Sequence, residues 1–264
     1  MSINQKFKRL CLNLKRLNSA VLAYSGGVDS SFLLSVARGQ LKRLIAVTAD
    51  SATIPREELR FAKRFCDKFG ACHKIIATKE IRNKDFTSNS RERCYFCKRE
   101  LFSRLESIAR RNRIPNVMDA SNIDDKDDFR PGNRAKIEFK VLSPLQEAKL
   151  NKKEIRLLSK RLGLPTWNKP QMACLASRIP YGERITKDKL ERIEKAEAII
   201  RKIFRLNGNV RVRLYKDLAR IEVDKKEIPR IINNQNLVSK LKVLGFKYIT
   251  VDLEGYRTGS MNEV

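Results

Sequence analysis

The chain has 264 residues, 42% hydrophobic and 33% charged, with 57 Lys and Arg against 30 Asp and Glu. That length exceeds a minimal domain and suits one large α/β domain followed by a smaller one. The longest apolar runs, such as 20–24 and 44–47, are far shorter than the roughly 20 residues of a membrane-spanning helix, and residues 1–10 lack the apolar stretch of a signal peptide, so a soluble, cytoplasmic protein is expected.

In chain order, β-rich apolar runs at 20–25, 44–50, 74–78, 116–121 and 139–142 read as strands. Helical periodicity at 30–38, 56–69, 95–111 and 151–162 falls between and after them. Strand–helix alternation of this kind predicts an α/β fold, a doubly wound parallel sheet with helices on both faces. Beyond about residue 170 the pattern changes. A charged amphipathic helix at 187–204, paired strands at 210–215 and 218–223, short helices around 227–244 and a last strand at 248–253 predict a smaller C-terminal α+β domain. We therefore divide the chain into domains 1–168 and 169–264, with 168–183 as the connection.

The net charge of +27 has two readings. One is an anionic partner such as a nucleotide, a phosphorylated substrate or RNA. The other is a lysine- and arginine-rich solvated surface. The basic residues are spread along the chain with no long block and no RNA-binding motif. Nucleic acid is therefore not an expected partner, and a few arginines remain for phosphate-bearing ligands.

Ser25-Gly26-Gly27-Val28-Asp29-Ser30-Ser31 follows the first strand and opens a helix. Two glycines allow a tight turn and close approach to an anion, at which helix N-terminal amides point. Ser25, Ser30 and Ser31 add hydroxyl donors, and Asp29 can hold Mg²⁺ against a pyrophosphate. The loop lacks the Gly-Lys-Ser/Thr ending of a Walker A motif and the Gly-x-Gly-x-x-Gly dinucleotide fingerprint.

Six cysteines stand at 11, 66, 72, 94, 97 and 174. Disulfides are a poor default in a cytosolic chain. Cys11 and Cys66 in helical segments and Cys72 before a strand read as structural. Cys94-x-x-Cys97 is ambiguous between a redox pair, half a zinc site and two unrelated thiols. With His73 the only histidine and no second Cys-x-x-Cys, a structural zinc site is under-supplied. Cys94, Cys97 and Cys174 would suit three irons of a 4Fe–4S cluster, leaving the fourth open; equally, all three could be small buried side chains. Arg211 and Arg213 alternate along one strand, so both guanidiniums fall on one face and could clamp a phosphate.

The loop Ser25–Ser30 resembles that of the PP-loop ATP pyrophosphatase superfamily, adenine nucleotide α-hydrolase-like enzymes that split ATP between its α- and β-phosphates. The resemblance implies that Ser25, Gly26, Gly27, Asp29 and Ser30 bind pyrophosphate, and that Ala23 and Thr48 border adenosine. Asp119-Ala120-Ser121-Asn122-Ile123-Asp124-Asp125, Arg130-Pro131-Gly132, Ser143-Pro144-Leu145, Leu164-Pro165-Thr166-Trp167, residues 174–182 (CLASRIPYG) and Gly255-Tyr256-Arg257-Thr258-Gly259-Ser260 follow in order. Together they are similar to the LarE family, the sulfur-inserting enzymes of nickel-pincer nucleotide biosynthesis, over nearly the whole chain. That likeness implies a phosphorylated pyridinium biscarboxylate mononucleotide as substrate, adenylated by ATP and then thiolated with release of AMP. Some members of the family sacrifice the thiol matching Cys174; others carry a 4Fe–4S cluster on three cysteines. The trio Cys94, Cys97 and Cys174 points to the cluster type, supplied with sulfide by an unidentified donor. The likeness further implies an arginine pair, here Arg211 and Arg213 with Arg178 assisting, for the substrate phosphate, and a homo-oligomer. The rival readings are a tRNA thiolase, an ATP-dependent amide synthetase and a non-catalytic nucleotide binder. The first lacks an RNA-binding module here, the second needs no cysteine trio, and the third fits poorly with an intact loop.

Overall fold

The computed structural model describes residues 1–126 and 131–262; Arg130 of the Arg-Pro-Gly motif lies outside them. The chain forms two units, one of Met1–Glu80 and Arg91–Lys169 and the other of Ile81–Ser90 and Pro170–Val264. The main border thus falls beside residue 169. The second unit also takes in Ile81–Ser90, which a linear partition leaves in the first domain.

In the first unit, β1 (Ser19–Ala23), β2 (Arg43–Asp50), β3 (His73–Ala77) and β4 (Val117–Met118) form a sheet in the order β3-β2-β1-β4. All three pairings are parallel, with Val21 opposite Ile45 on one side and Val117 on the other. The near-continuous apolar character of β1 and β2 follows from burial on both faces. Ala20, Leu22 and Ala46 pack with Leu10, Phe32, Phe65 and Leu158, from helices Ile3–Leu17, Val28–Gln40, Arg56–Lys68 and Lys152–Arg161. Val21, Ile45 and Val47 pack on the other face with Leu105 and Ala109 of helix Arg93–Arg111. The period-two alternation of strand side chains therefore sorts neighbouring residues into two cores, as a doubly wound sheet requires.

The expected fifth strand at 139–142 does not form; only one isolated parallel bridge joins Leu142 to Met118. Helix Gly132–Glu138 runs up to it, Lys140 takes a left-handed φ of 50°, and Pro144 starts the next helical turn, so too few extended residues remain. The strand expected at 116–121 shortens to two residues for another reason. Asp119 Oδ1 accepts from Ser121 N, Asn122 Oδ1 from Asp124 N, and Asp125 Oδ2 from Asn122 N. Such side-chain bonds to nearby amides replace a ladder with turns.

In the second unit, β5 (Val210–Tyr215) pairs antiparallel with β6 (Leu218–Val223), and β6 pairs parallel with β7 (Tyr248–Val251). Helix Lys187–Phe204 buries Leu190, Ile193, Ala196, Ile200 and Phe204. Ile81–Ser90 is tied to this unit through Asn89, whose Nδ2 donates to the carbonyls of Ile179, Pro180 and Glu183, and whose carbonyl accepts from Gly182 N. No helix among the described residues is long and apolar enough to cross a membrane.

Candidate active site

The phosphate loop joins β1 to helix Val28–Gln40. Gly26 takes φ +72°, and a β-carbon there would stand 3.2 Å from Ala62 Cβ, so the turn demands glycine twice over. Gly27 is the helix N-cap and has no side chain to satisfy the first-turn amides, which leaves them to a ligand. Ser25 Oγ and Ser30 Oγ lie 3.0 Å apart and close the loop on itself.

Ser31 and Thr48 turn inward. Ser31 Oγ meets the buried Tyr24 hydroxyl at 3.3 Å, and its amide donates to Gly27 O. Thr48 Oγ1 donates to Tyr24 O at 2.9 Å, so its one proton is used and His73 Nε2, 2.8 Å away, supplies the proton between them. Both side chains brace the loop from beneath. Burial pushes the His73 pKa down. Ala23, half-buried at the carboxyl end of β1, lies where open parallel sheets bind ligands.

Asp29 occupies the first turn of the helix. Lys152 Nζ is 2.5 Å from its Oδ2 and Asn122 Nδ2 3.5 Å, while its Oδ1 is buried with no hydrogen-bond partner. Burial raises its pKa, opposed by Lys152 and reinforced by Asp125. An orphaned buried carboxylate oxygen with a second carboxylate nearby suits a hard divalent cation such as Mg²⁺. Sequence reasoning placed Lys152 in a helix and Asn122 within the Asp119–Asp125 motif, without giving either a role; that motif was the available signal for Asn122, and none marked Lys152.

In the second unit, Cys174 is the N-cap of the turn Leu175–Arg178. Arg178 is fully buried. Its Nε and Nη2 pair with both oxygens of Glu197 at 2.8 and 3.2 Å, and its Nη1 donates to Ala173 O, Cys174 O and Ser177 Oγ. Its guanidinium therefore shapes the Cys174 loop from within. Glu197 lies buried among the apolar stripe of helix Lys187–Phe204, and sequence reasoning did not single it out.

Arg211 and Arg213 lie on one face of β5, as alternation predicts, and both are buried. Arg213 pairs with Glu222 at 2.7 Å and donates to Ser177 O and Ser260 Oγ, but its Nε has no partner. Arg211 bonds only carbonyl oxygens, of Val210 at 2.9 Å and Gln171 at 2.6 Å, with its guanidinium 5.1 Å from the Tyr256 ring. Burial and then neighbouring Arg178 push its pKa down to about 10, so it remains charged at neutral pH. Among the described residues its hydrogen bonds thus go to backbone carbonyls, while Glu197 acts on it electrostatically.

Replacing Arg178 by methionine should cost on the order of 3 kcal/mol, because Glu197 is left buried without its counter-ion. Thermal unfolding checks this, and adding Glu197→Gln should recover part of the loss. Additive losses in the double variant would show that the pair is not coupled.

Cys94 and Cys97 lie in the first turns of helix Arg93–Arg111, Cys94 exposed and Cys97 half-buried. Three-residue spacing puts them on one side of the helix. Gly132 permits helix Gly132–Glu138 to approach this turn: a β-carbon would fall 3.0 Å from Lys98 Cγ. Cys72, read as structural, is exposed. Among the described residues no group of three or more His, Cys, Asp or Glu side chains is placed to hold a metal ion; Cys174 belongs to the other unit.

A family model described as asparagine synthase matches residues 19–109, which span the phosphate loop. The chain is 35% identical to the pyridinium-3,5-bisthiocarboxylic acid mononucleotide synthase of Lactiplantibacillus plantarum, over 95% of its own length and 91% of that protein. It is 41% identical to an uncharacterized protein of Synechocystis sp. over 99% of the chain and 98% of the relative. It is 33% identical to an uncharacterized protein of Methanocaldococcus jannaschii over 96% and 98%. With an intact phosphate loop on the first strand of a parallel sheet and similarity along its whole length, this chain belongs to the LarE family of PP-loop enzymes.

Proposed function

We propose that this protein is an ATP-dependent sulfurtransferase acting on pyridinium-3,5-biscarboxylic acid mononucleotide. The observation that carries the reading is the phosphate loop with its open helix amides and the orphaned Asp29 oxygen, in a chain that matches the synthase of Lactiplantibacillus plantarum throughout. A ring carboxylate oxygen attacks the α-phosphorus of ATP and pyrophosphate leaves. Sulfur then attacks the acyl carbon and AMP leaves with the electron pair of the broken C–O bond. Ser25, Gly26, Gly27 and Ser30 hold the pyrophosphate, Asp29 holds Mg²⁺, and Ser31 and Thr48 keep the loop and the strand ends bordering adenosine in shape. The first unit is the ATP-binding part and the second the substrate-binding part.

Arg211 and Arg213 bind the substrate phosphate, the first as a buried cation bonded directly only to backbone carbonyls among the described residues and the second through its unpartnered Nε; Arg178 holds the loop beside them. Cys174 is the delivery point for sulfur. Cys94, Cys97 and Cys174 would hold a 4Fe–4S cluster, which when bound supplies sulfide at its open iron. The donor set supports this: three cysteines, two of them one helical turn apart at a helix N-terminus. Cytoplasmic location and a homo-oligomeric state complete the reading.

Purified protein given ATP, Mg²⁺ and the biscarboxylate should release AMP and pyrophosphate; ADP and phosphate instead would overturn the PP-loop chemistry. In the same assay Arg211→Met should raise the substrate KM about tenfold to a hundredfold, the worth of a charge-assisted bond, and spare the KM for ATP. Equal damage to both KM values would mark Arg211 as structural.

A further inference from the structure

Among the described residues two lysines touch the phosphate loop, and their surroundings differ. Lys169 Nζ donates to Gly26 O at 3.0 Å and to Glu58 at 2.6 Å, and it lies 3.7 Å from the centre of the Phe61 ring. Its side chain is 15% exposed, and every neighbour holds it in place. Lys152 Nζ has one partner among the described residues, Asp29 Oδ2, and its side chain is 31% exposed. Its backbone is fixed, since Lys152 N donates to Asp124 Oδ2 at 2.9 Å at the start of helix Lys152–Arg161. The stem is anchored and the ammonium is free to swing on four methylenes.

We infer that Lys152 is a pyrophosphate-binding residue: it neutralises Asp29 while the loop holds no nucleotide, and passes its ammonium to phosphate oxygens when a divalent cation takes Asp29. The electrostatics favour this exchange. An ammonium and a dication on one carboxylate repel each other, whereas an incoming polyphosphate brings several negative oxygens to the same helix N-terminus. The ammonium beside Asp29 already stands next to the first-turn amides, so a side-chain rotation suffices. Before nucleotide arrives, the same contact lowers the cost of a buried carboxylate one of whose oxygens has no hydrogen-bond partner. This inference rests on the ATP reading of the loop.

Loss of the Lys152 ammonium should act oppositely on pyrophosphate and on metal binding, which separates its role from simple support of the fold. With full-length protein, calorimetry should show inorganic pyrophosphate binding at saturating Mg²⁺ weakened about tenfold to a hundredfold by Lys152→Met. Mn²⁺ binding without pyrophosphate, read by electron paramagnetic resonance, should tighten by about threefold or more in the same variant, because a competing cation is gone. Lys152→Arg, which keeps the charge, should retain pyrophosphate binding within about threefold of wild type. Unchanged pyrophosphate binding in Lys152→Met overturns the inference, and so does parallel weakening of both ligands. Should Lys152→Met fail to fold, Lys152→Gln against Lys152→Arg makes the same comparison. Wild-type protein that binds no pyrophosphate would remove the ATP reading and this inference together, whereas normal wild-type binding with an indifferent Lys152 removes only the inference.

Discussion

Replacing Cys174 by alanine is expected to end thiocarboxylate formation while ATP is still split to AMP and pyrophosphate. The backbone at this position is held independently of the thiol: Cys174 O accepts from Ser177 N, Ser177 Oγ and Arg178 Nη1 at 2.8 to 3.0 Å. Loss of one half-buried sulfur leaves those bonds intact, so the loop should keep its shape and folding stability should change by less than about 1 kcal/mol. The adenylate would form and be lost to water. Discharge of the thiocarboxylate at the wild-type rate by Cys174→Ala would remove this residue from the mechanism. Cys94→Ala and Cys97→Ala then separate the two sulfur sources. On the cluster reading each abolishes repeated turnover, and anaerobic iron and sulfide analysis shows the cluster lost. If both variants keep full activity and mass spectrometry finds dehydroalanine at position 174, sulfur comes from the side chain itself and the cluster is discarded.

Asp29→Asn should reduce adenylation by roughly a thousandfold, about 4 kcal/mol of lost transition-state stabilisation, because an amide cannot hold Mg²⁺ against the leaving pyrophosphate. The fold has little stake in the charge. Asp29 carries one unpartnered oxygen, and Lys152, left alone, is partly exposed and can turn to solvent. A circular dichroism melt near that of wild type together with silent pyrophosphate release is the expected result. Wild-type rates in Asp29→Asn would move the metal to other carboxylates, with Asp125, which acts on Asp29 electrostatically, the first to test.

The phosphate loop, helix Lys187–Phe204 and strands β5 and β6 were legible in the sequence to within a residue or two, because each is set by local chemistry. A glycine pair, an apolar stripe and a period-two pattern constrain backbone angles irrespective of what lies elsewhere. Where two local signals competed, the pattern misled. The run at 139–142 is as β-rich as its neighbours, yet a helix before it and a proline after it left only one bridge to Met118. At Asp119–Asp125, short polar side chains took the amides that a longer β4 would have needed.

The amino-acid order thus determined the fold class, the ATP loop and the face on which Arg211 and Arg213 stand. What each charged side chain does was decided only in three dimensions. Lys152 meets Asp29 across 123 positions, Asn89 reaches the carbonyls of 179, 180 and 183 from a segment inserted into the other unit, and Arg178 spans 19 positions to Glu197. Composition cannot separate such residues from the many exposed lysines, arginines and glutamates. The strength of a charge depends on burial and on its partner: in water an ion pair contributes little, whereas the same groups inside a packed unit must be paired at high cost or be completed by a ligand. Arg178 bonds a carboxylate directly and orders a loop, whereas the hydrogen bonds of Arg211 among the described residues go to backbone carbonyls.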